Sequence, residues 1–106
     1  GKRFGLDPAV IIDVVNASSG RSGSTDLKWP RFILPETFDS GFSLRLMVKD
    51  AAIALGLIDA TGTPSRASSA IVAAWADAAG DLPADADHTE IARWVESLAT
   101  APPAAG

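Results

Sequence analysis

Residues 41–62 read GFSLRLMVKDAAIALGLIDATG. From Leu44 to Ile58 the run is apolar on almost every side and spaced as one helix. Ser43 suits the N-cap, and Thr61-Gly62 supplies the stop. A helix that is apolar all round belongs in an interior. Yet Lys49 and Asp50 stand side by side in its middle. On a wheel of about 100° per residue, Leu46, Ile53 and Leu57 share one stripe, and Asp50 falls inside it. Met47, Ala51, Ala54 and Ile58 make the neighbouring face, with Leu44, Val48 and Leu55 beyond. Arg45, Lys49, Ala52 and Gly56 remain as the polar or close-contact face. Two readings stay open. Arg45 and Lys49 face solvent while Asp50 takes a salt bridge or caps a neighbouring helix. Alternatively, Lys49 meets an anionic ligand and Asp50 holds the surrounding polar network. On either reading the wheel makes Asp50 the more buried of the two.

Upstream, LDPAVIIDVVNAS begins a first helix with Asp7 as N-cap and Pro8 at its first position, ending near Asn16. Lys2-Arg3-Phe4 before Gly5 reads as the end of an earlier helix with its glycine cap. Residues 18–25, SSGRSGST, are turn-like. Pro30 and Pro35 then limit regular structure to short helical turns. Trp29, Phe32, Ile33, Phe38 and Phe42 either pin this irregular segment to a core or line a cleft. Downstream, Thr63-Pro64 is expected to open a helix that Gly80 ends. An acidic linker follows. Asp87-His-Thr-Glu90 is a capping box for a last helix carrying Ile91, Trp94, Val95 and Leu98. Residues 99–106, ATAPPAAG, read as a flexible tail. No run demands a strand. The expectation is an all-α domain of about four to five helices over residues 1–98.

The chain has 106 residues, enough for one modest domain. Its net charge of -4 argues against nucleic acid as a partner. The first fifty residues nevertheless carry most of the Lys and Arg, so an anion is better hosted there. No cysteine is present, which excludes thiol catalysis and thiolate metal sites. No apolar run reaches the ~20 residues needed to cross a bilayer, and no secretion signal is visible. The expected setting is cytoplasmic, without a membrane partner.

His88 is the single histidine, and its place in a cap box is usually solvated. No second histidine completes a metal site. Asp81, Asp85, Asp87 and Glu90 lack EF-hand spacing. Gly20-Arg21-Ser22-Gly23-Ser24 lacks the context and ending of a phosphate loop. An Arg among backbone donors can still meet a phosphate or carboxylate.

Taken together, GLDPAVIIDVVNASSGRS, FDSGFSLRLMVKDAAIAL, GTPSRASSAIVAAW and the late Asp87-His88-Thr89 resemble the C-terminal domain of the β-hydroxyacid dehydrogenases, the family of 3-hydroxyisobutyrate dehydrogenase. The resemblance covers residues 2 to about 98. It implies a compact orthogonal helical bundle of the 6-phosphogluconate-dehydrogenase type, placed behind a Rossmann domain in cis. It implies NAD or NADP as cofactor and a small anionic 3-hydroxy acid as substrate. It also implies a homodimer or tetramer. The general acid/base lysine is expected on an interdomain helix upstream, so no catalytic residue and no metal ligand is assigned in this stretch. By resemblance, Lys49 and Phe42 face the cofactor and Asp50 supports them. Ser19, Gly20, Arg21 and Ser22 lie on the turn that approaches the cleft. The stretch alone is then expected to be inactive. A related glyoxylate, semialdehyde or imine reductase, or a non-catalytic helical interaction module, are the alternatives.

Overall fold

The computed structural model describes residues 1–99. A 3-10 turn at Lys2–Phe4 leads to helix α1, Pro8–Asn16. A π-helical segment follows at Ser24–Ile33, then the long helices α2, Leu44–Thr61, and α3, Arg66–Asp81. A second 3-10 turn, His88–Glu90, runs directly into α4, Ile91–Ser97. The domain is all-α, as the spacing implied. Among the described residues the extended pairing is a single antiparallel bridge between Ser43 and Asp87. The expected flexible tail lies, apart from Ala99, outside the described residues.

Local capping chemistry places the helix ends. The Asp7 carboxylate accepts from Ala9 N–H at 2.9 Å, with Pro8 at the first position of α1. Ser43 Oγ accepts from Leu46 N–H at 3.2 Å and starts α2. Gly62 ends α2 in the left-handed region, at φ 67. The N–H of Thr63 then closes onto Ile58 O at 3.1 Å. The expected start of α3 is corrected: the Thr63 hydroxyl lies 2.8 Å from Thr61 Oγ1 and caps no following N–H, and α3 begins after Ser65 and runs one residue past Gly80.

The segment around Pro30 also differs from expectation. It is one continuous π-helical stretch, not separate short turns. In π geometry each N–H reaches the carbonyl five residues back. Pro30 has no N–H, which leaves Thr25 O without that partner. Asn16 Nδ2 donates to Thr25 O at 2.8 Å instead, tying α1 to the segment. Beyond it, the chain reverses through Glu36 and Phe38, both in the left-handed region. Phe32 O accepts from the N–H of both Thr37 and Phe38 at 3.1 Å, and the Arg93 guanidinium lies 4.3 Å from the Phe38 ring centre.

The core is small. Leu44, Ala78, Ala86 and Trp94 form its buried cluster, with Val48, Trp75, Ala79, Leu82 and Ile91 packed around it. Trp94, on the apolar face of the last helix, is buried and donates its indole N–H to Asp81 at 2.9 Å. Trp29 and Ile33 line two neighbouring clefts of about 430 and about 560 Å³, so the aromatic segment packs and lines clefts at once. The accessible surface is 7310 Å², against about 5,600 Å² for a compact monomer of this mass.

The clearest correction concerns α2. Leu44, Val48, Ala51, Leu55 and Ile58 face inward, against α3 and the second 3-10 turn. The wheel's stripe faces outward: Leu46 is 47%, Ile53 62% and Leu57 66% exposed. Asp50 lies on that open face and is exposed, as is Lys49. The helix is apolar on nearly all sides, so its pattern offers two candidate inner faces. Packing against Ala78 and Trp94 selects one. Asp50→Asn therefore leaves the unfolding free energy of this chain, measured by urea titration, within about 0.5 kcal/mol of the parent, as for an ordinary surface substitution. A loss above about 1 kcal/mol would contradict the exposed placement.

Candidate functional site

The site grows from the turn before α2. Ser40 and Gly41 reverse the chain, Gly41 at φ 89, where a side chain would be strained. Phe42 follows, then the Ser43 cap, and α2 carries Arg45, Lys49 and Asp50 out along its open face. Among the described residues neither Arg45 nor Lys49 has an ion-pair partner. Leu46 and Ile53 lie exposed beside them. The face thus offers positive charge framed by exposed apolar surface.

Phe42 is half-buried, its ring meeting the His88 ring edge-on at 5.6 Å and 83°. His88 is buried, contrary to the solvated place expected of a cap residue. Phe42 O accepts from its backbone N–H at 2.8 Å and lies 3.1 Å from Nδ1. Ser40 Oγ is 3.2 Å from the same nitrogen while donating to Asp87. Nδ1 therefore carries the proton, since the Ser40 hydrogen is committed elsewhere.

Asp87 caps the second 3-10 turn, as the sequence indicated, but does more. It accepts from Thr89 N–H and Oγ1, from Ser40 Oγ and from Gly41 N–H. Burial favours the neutral carboxyl, but the hydrogen bonds from Thr89, Ser40 and Gly41 outweigh it and hold the group down at about 2. The depressed folded value means the stabilisation is full above pH ~4 and is lost as pH falls towards 2. We expect about 2 kcal/mol of unfolding free energy to disappear across that window. Urea titrations at pH 5 and pH 2 measure it. Asp87→Asn should flatten this part of the profile, and an unchanged acid slope would refute the assignment.

The expected turn residues are placed separately. Ser19 and Gly20 are exposed. A Cβ on Gly20 would come within 2.9 Å of Val15 Cγ1, so a larger residue there would make the Val15 side chain shift. Ser22 and Thr25 cap one another reciprocally, by Ser22 N–H to Thr25 Oγ1 at 2.8 Å and Thr25 N–H to Ser22 Oγ at 3.1 Å. Arg21 pairs with Asp26 at 3.0 Å. These groups start the π-helical segment and are locally engaged, unlike Lys49. The Ser40–Asp87–His88 cluster was invisible in the sequence, because its two halves stand 47 residues apart. Asp87-His-Thr announced a cap, and nothing there announced its second partner. Among the described residues no cluster is placed to hold a metal ion, and no helix is long and apolar enough to cross a membrane.

Residues 1–95 match the family described as NAD-binding of NADP-dependent 3-hydroxyisobutyrate dehydrogenase. The class is thus an all-α domain of a nicotinamide-nucleotide-binding family, with NAD or NADP as cofactor. The chain belongs to the 3-hydroxyisobutyrate dehydrogenase family. It is also similar to 2-(hydroxymethyl)glutarate dehydrogenase of Eubacterium barkeri, at 36% identity over 55 residues, or 52% of this chain. That stretch spans 18% of the relative's length. Among the described residues Lys49 and Arg45 are positive charges without an ion-pair partner on the open face of α2, and Phe42 lies in the turn that leads into that helix.

Proposed function

We propose that residues 1–98 form the cleft-making C-terminal domain of an NAD(P)-dependent dehydrogenase acting on a small anionic 3-hydroxy acid. Lys49 and Phe42 contact the cofactor end of the cleft. Asp50 supports Lys49 once a neighbouring domain covers the open face, and the Ser19–Ser22 turn approaches from the side. The nicotinamide, when bound, exchanges a hydride with the hydroxyl-bearing carbon. Lys49 holds negative charge there and moves no proton; a lysine supplied by a Rossmann-bearing portion in cis is the general acid/base.

The observation that carries this reading is Lys49, without an ion-pair partner among the described residues and set on exposed apolar surface of a small domain. A charge in that setting gains strength when a second surface excludes water around it. The similarity to a dehydrogenase of a hydroxymethyl dicarboxylate supports an anionic hydroxy acid as substrate class, with 3-hydroxyisobutyrate as the first candidate. The apolar excess also supports a homodimer or tetramer, and a cytoplasmic setting accords with the cofactor.

The test is direct. A complete reading frame containing this chain is expressed and assayed for NAD(P)H formation with 3-hydroxyisobutyrate and 2-(hydroxymethyl)glutarate. Turnover is expected from the complete protein and none from the 106-residue chain. A complete protein that reduces neither nucleotide with any hydroxy acid would sink the proposal, and so would turnover by the short chain alone.

A further inference from the structure

Resting on that functional reading, we propose that Asp87 is a positioning residue for the Phe42 side of the cleft. Its carboxylate fixes the Ser40–Phe42 turn from which α2 carries Lys49 outward. A helix cap needs one acceptor for one or two N–H groups. Asp87 meets that need through Thr89 alone. Its bonds to Ser40 Oγ, at 2.9 and 3.0 Å, and to Gly41 N–H, at 3.0 Å, reach a segment 46 to 47 residues away and serve a different purpose.

That purpose is visible in the turn. Gly41 holds a positive φ, one of several conformations open to a glycine, so the turn needs outside contacts to fix it. Asp87 grips the residue on either side of its peptide, Ser40 and Gly41. Two backbone bonds then extend the hold, Leu44 N–H to Ala86 O and His88 N–H to Phe42 O, each at 2.8 Å. The Phe42 ring comes to rest against His88. The side chain of Asp87 is 9% exposed, and its oxygens are filled by local donors. It cannot touch a ligand, so it acts through Phe42 and the start of α2.

A purely structural cap and a positioning residue differ in what they change. Loss of stability alone lowers the amount of active protein and leaves KM untouched. Loss of position weakens contact with the cofactor. Asp87→Asn keeps the side-chain volume and removes charge and one acceptor oxygen. In the complete dehydrogenase it should raise KM for NAD(P) about tenfold while kcat changes less than about threefold. Ser40→Ala removes the turn's side of the network and leaves the Thr89 cap. It should move KM the same way, by about threefold, and it serves if Asp87→Asn does not fold. Asp81→Asn, which weakens the bond to Trp94, is the comparator and should leave KM unchanged.

A second measurement does not depend on activity. In the 106-residue chain, nuclear Overhauser contacts between the Phe42 and His88 rings should weaken or vanish in Asp87→Asn or Ser40→Ala, while those within the Leu44–Ala78–Trp94 core persist. The proposal is overturned if the ring contact survives both substitutions, or if Asp81→Asn shifts KM as much as Asp87→Asn. If the complete wild-type protein binds no nicotinamide nucleotide, the functional reading fails and the link to the cofactor falls with it. The ring contacts still decide whether Asp87 sets Phe42.

Discussion

Leu44→Ala should lower the unfolding free energy of this chain by about 3 to 5 kcal/mol, the upper range for emptying a fully buried leucine site. Leu44 is 2% exposed and sits at the first turn of α2, where the helix meets Ala78, Ala86 and Trp94. These four residues are the buried cluster. Neighbours on a small core can collapse into the gap only by giving up contacts elsewhere, and the Ser43–Asp87 bridge holds the backbone on the other side. A small domain typically has a stability of about 5 to 15 kcal/mol, and the large accessible surface places this one towards the lower end. The variant should therefore keep only about 0 to 2 kcal/mol of stability and populate the unfolded state measurably near room temperature. Urea unfolding followed by the three tryptophans measures the effect. A loss below about 1 kcal/mol would mean that the core lies elsewhere.

If the proposed function holds, Lys49→Ala in a complete protein containing this chain should lower kcat/KM about 10- to 1000-fold, the scale set by losing a charge that stabilises an anion in a water-poor site. The same substitution should leave the melting temperature of the 106-residue chain unchanged. Lys49 is exposed there and has no ion-pair partner among the described residues, so no folded-state contact is lost. The separation of the two effects is the useful result. Activity within twofold of the parent would remove Lys49 from the cleft. A large stability loss in the short chain would mean that the lysine is a structural element instead.

Much of the local structure was legible in the residues. Asp7-Pro8, Ser43, Thr61-Gly62 and Asp87 each marked a helix end by bonds that close within three or four residues. Such bonds need no knowledge of the rest of the fold. The site was partly legible as well: the Lys49-Asp50 pair was conspicuous because charge interrupts an apolar run. The start of α3 was misplaced because the Thr63 hydroxyl, a good cap by residue type, sits against Thr61 Oγ1 at the end of α2 instead.

What the sequence alone determined is the all-α character, the order of helices and the position of the charged pair along α2. The tertiary structure decided which way that pair points. An almost uniformly apolar helix carries no unique inner face, so the choice falls to the shape and size of its neighbours. Ala78 and Trp94 accept Leu44 and turn Asp50 outward. The same holds for His88, which local pattern placed in solvent. Bonds from Ser40 and Phe42, contributed by a distant turn, bring it inside. Burial and cross-chain hydrogen bonding are properties of the assembled surfaces, and residues 46 to 48 apart in the chain encode them only by meeting.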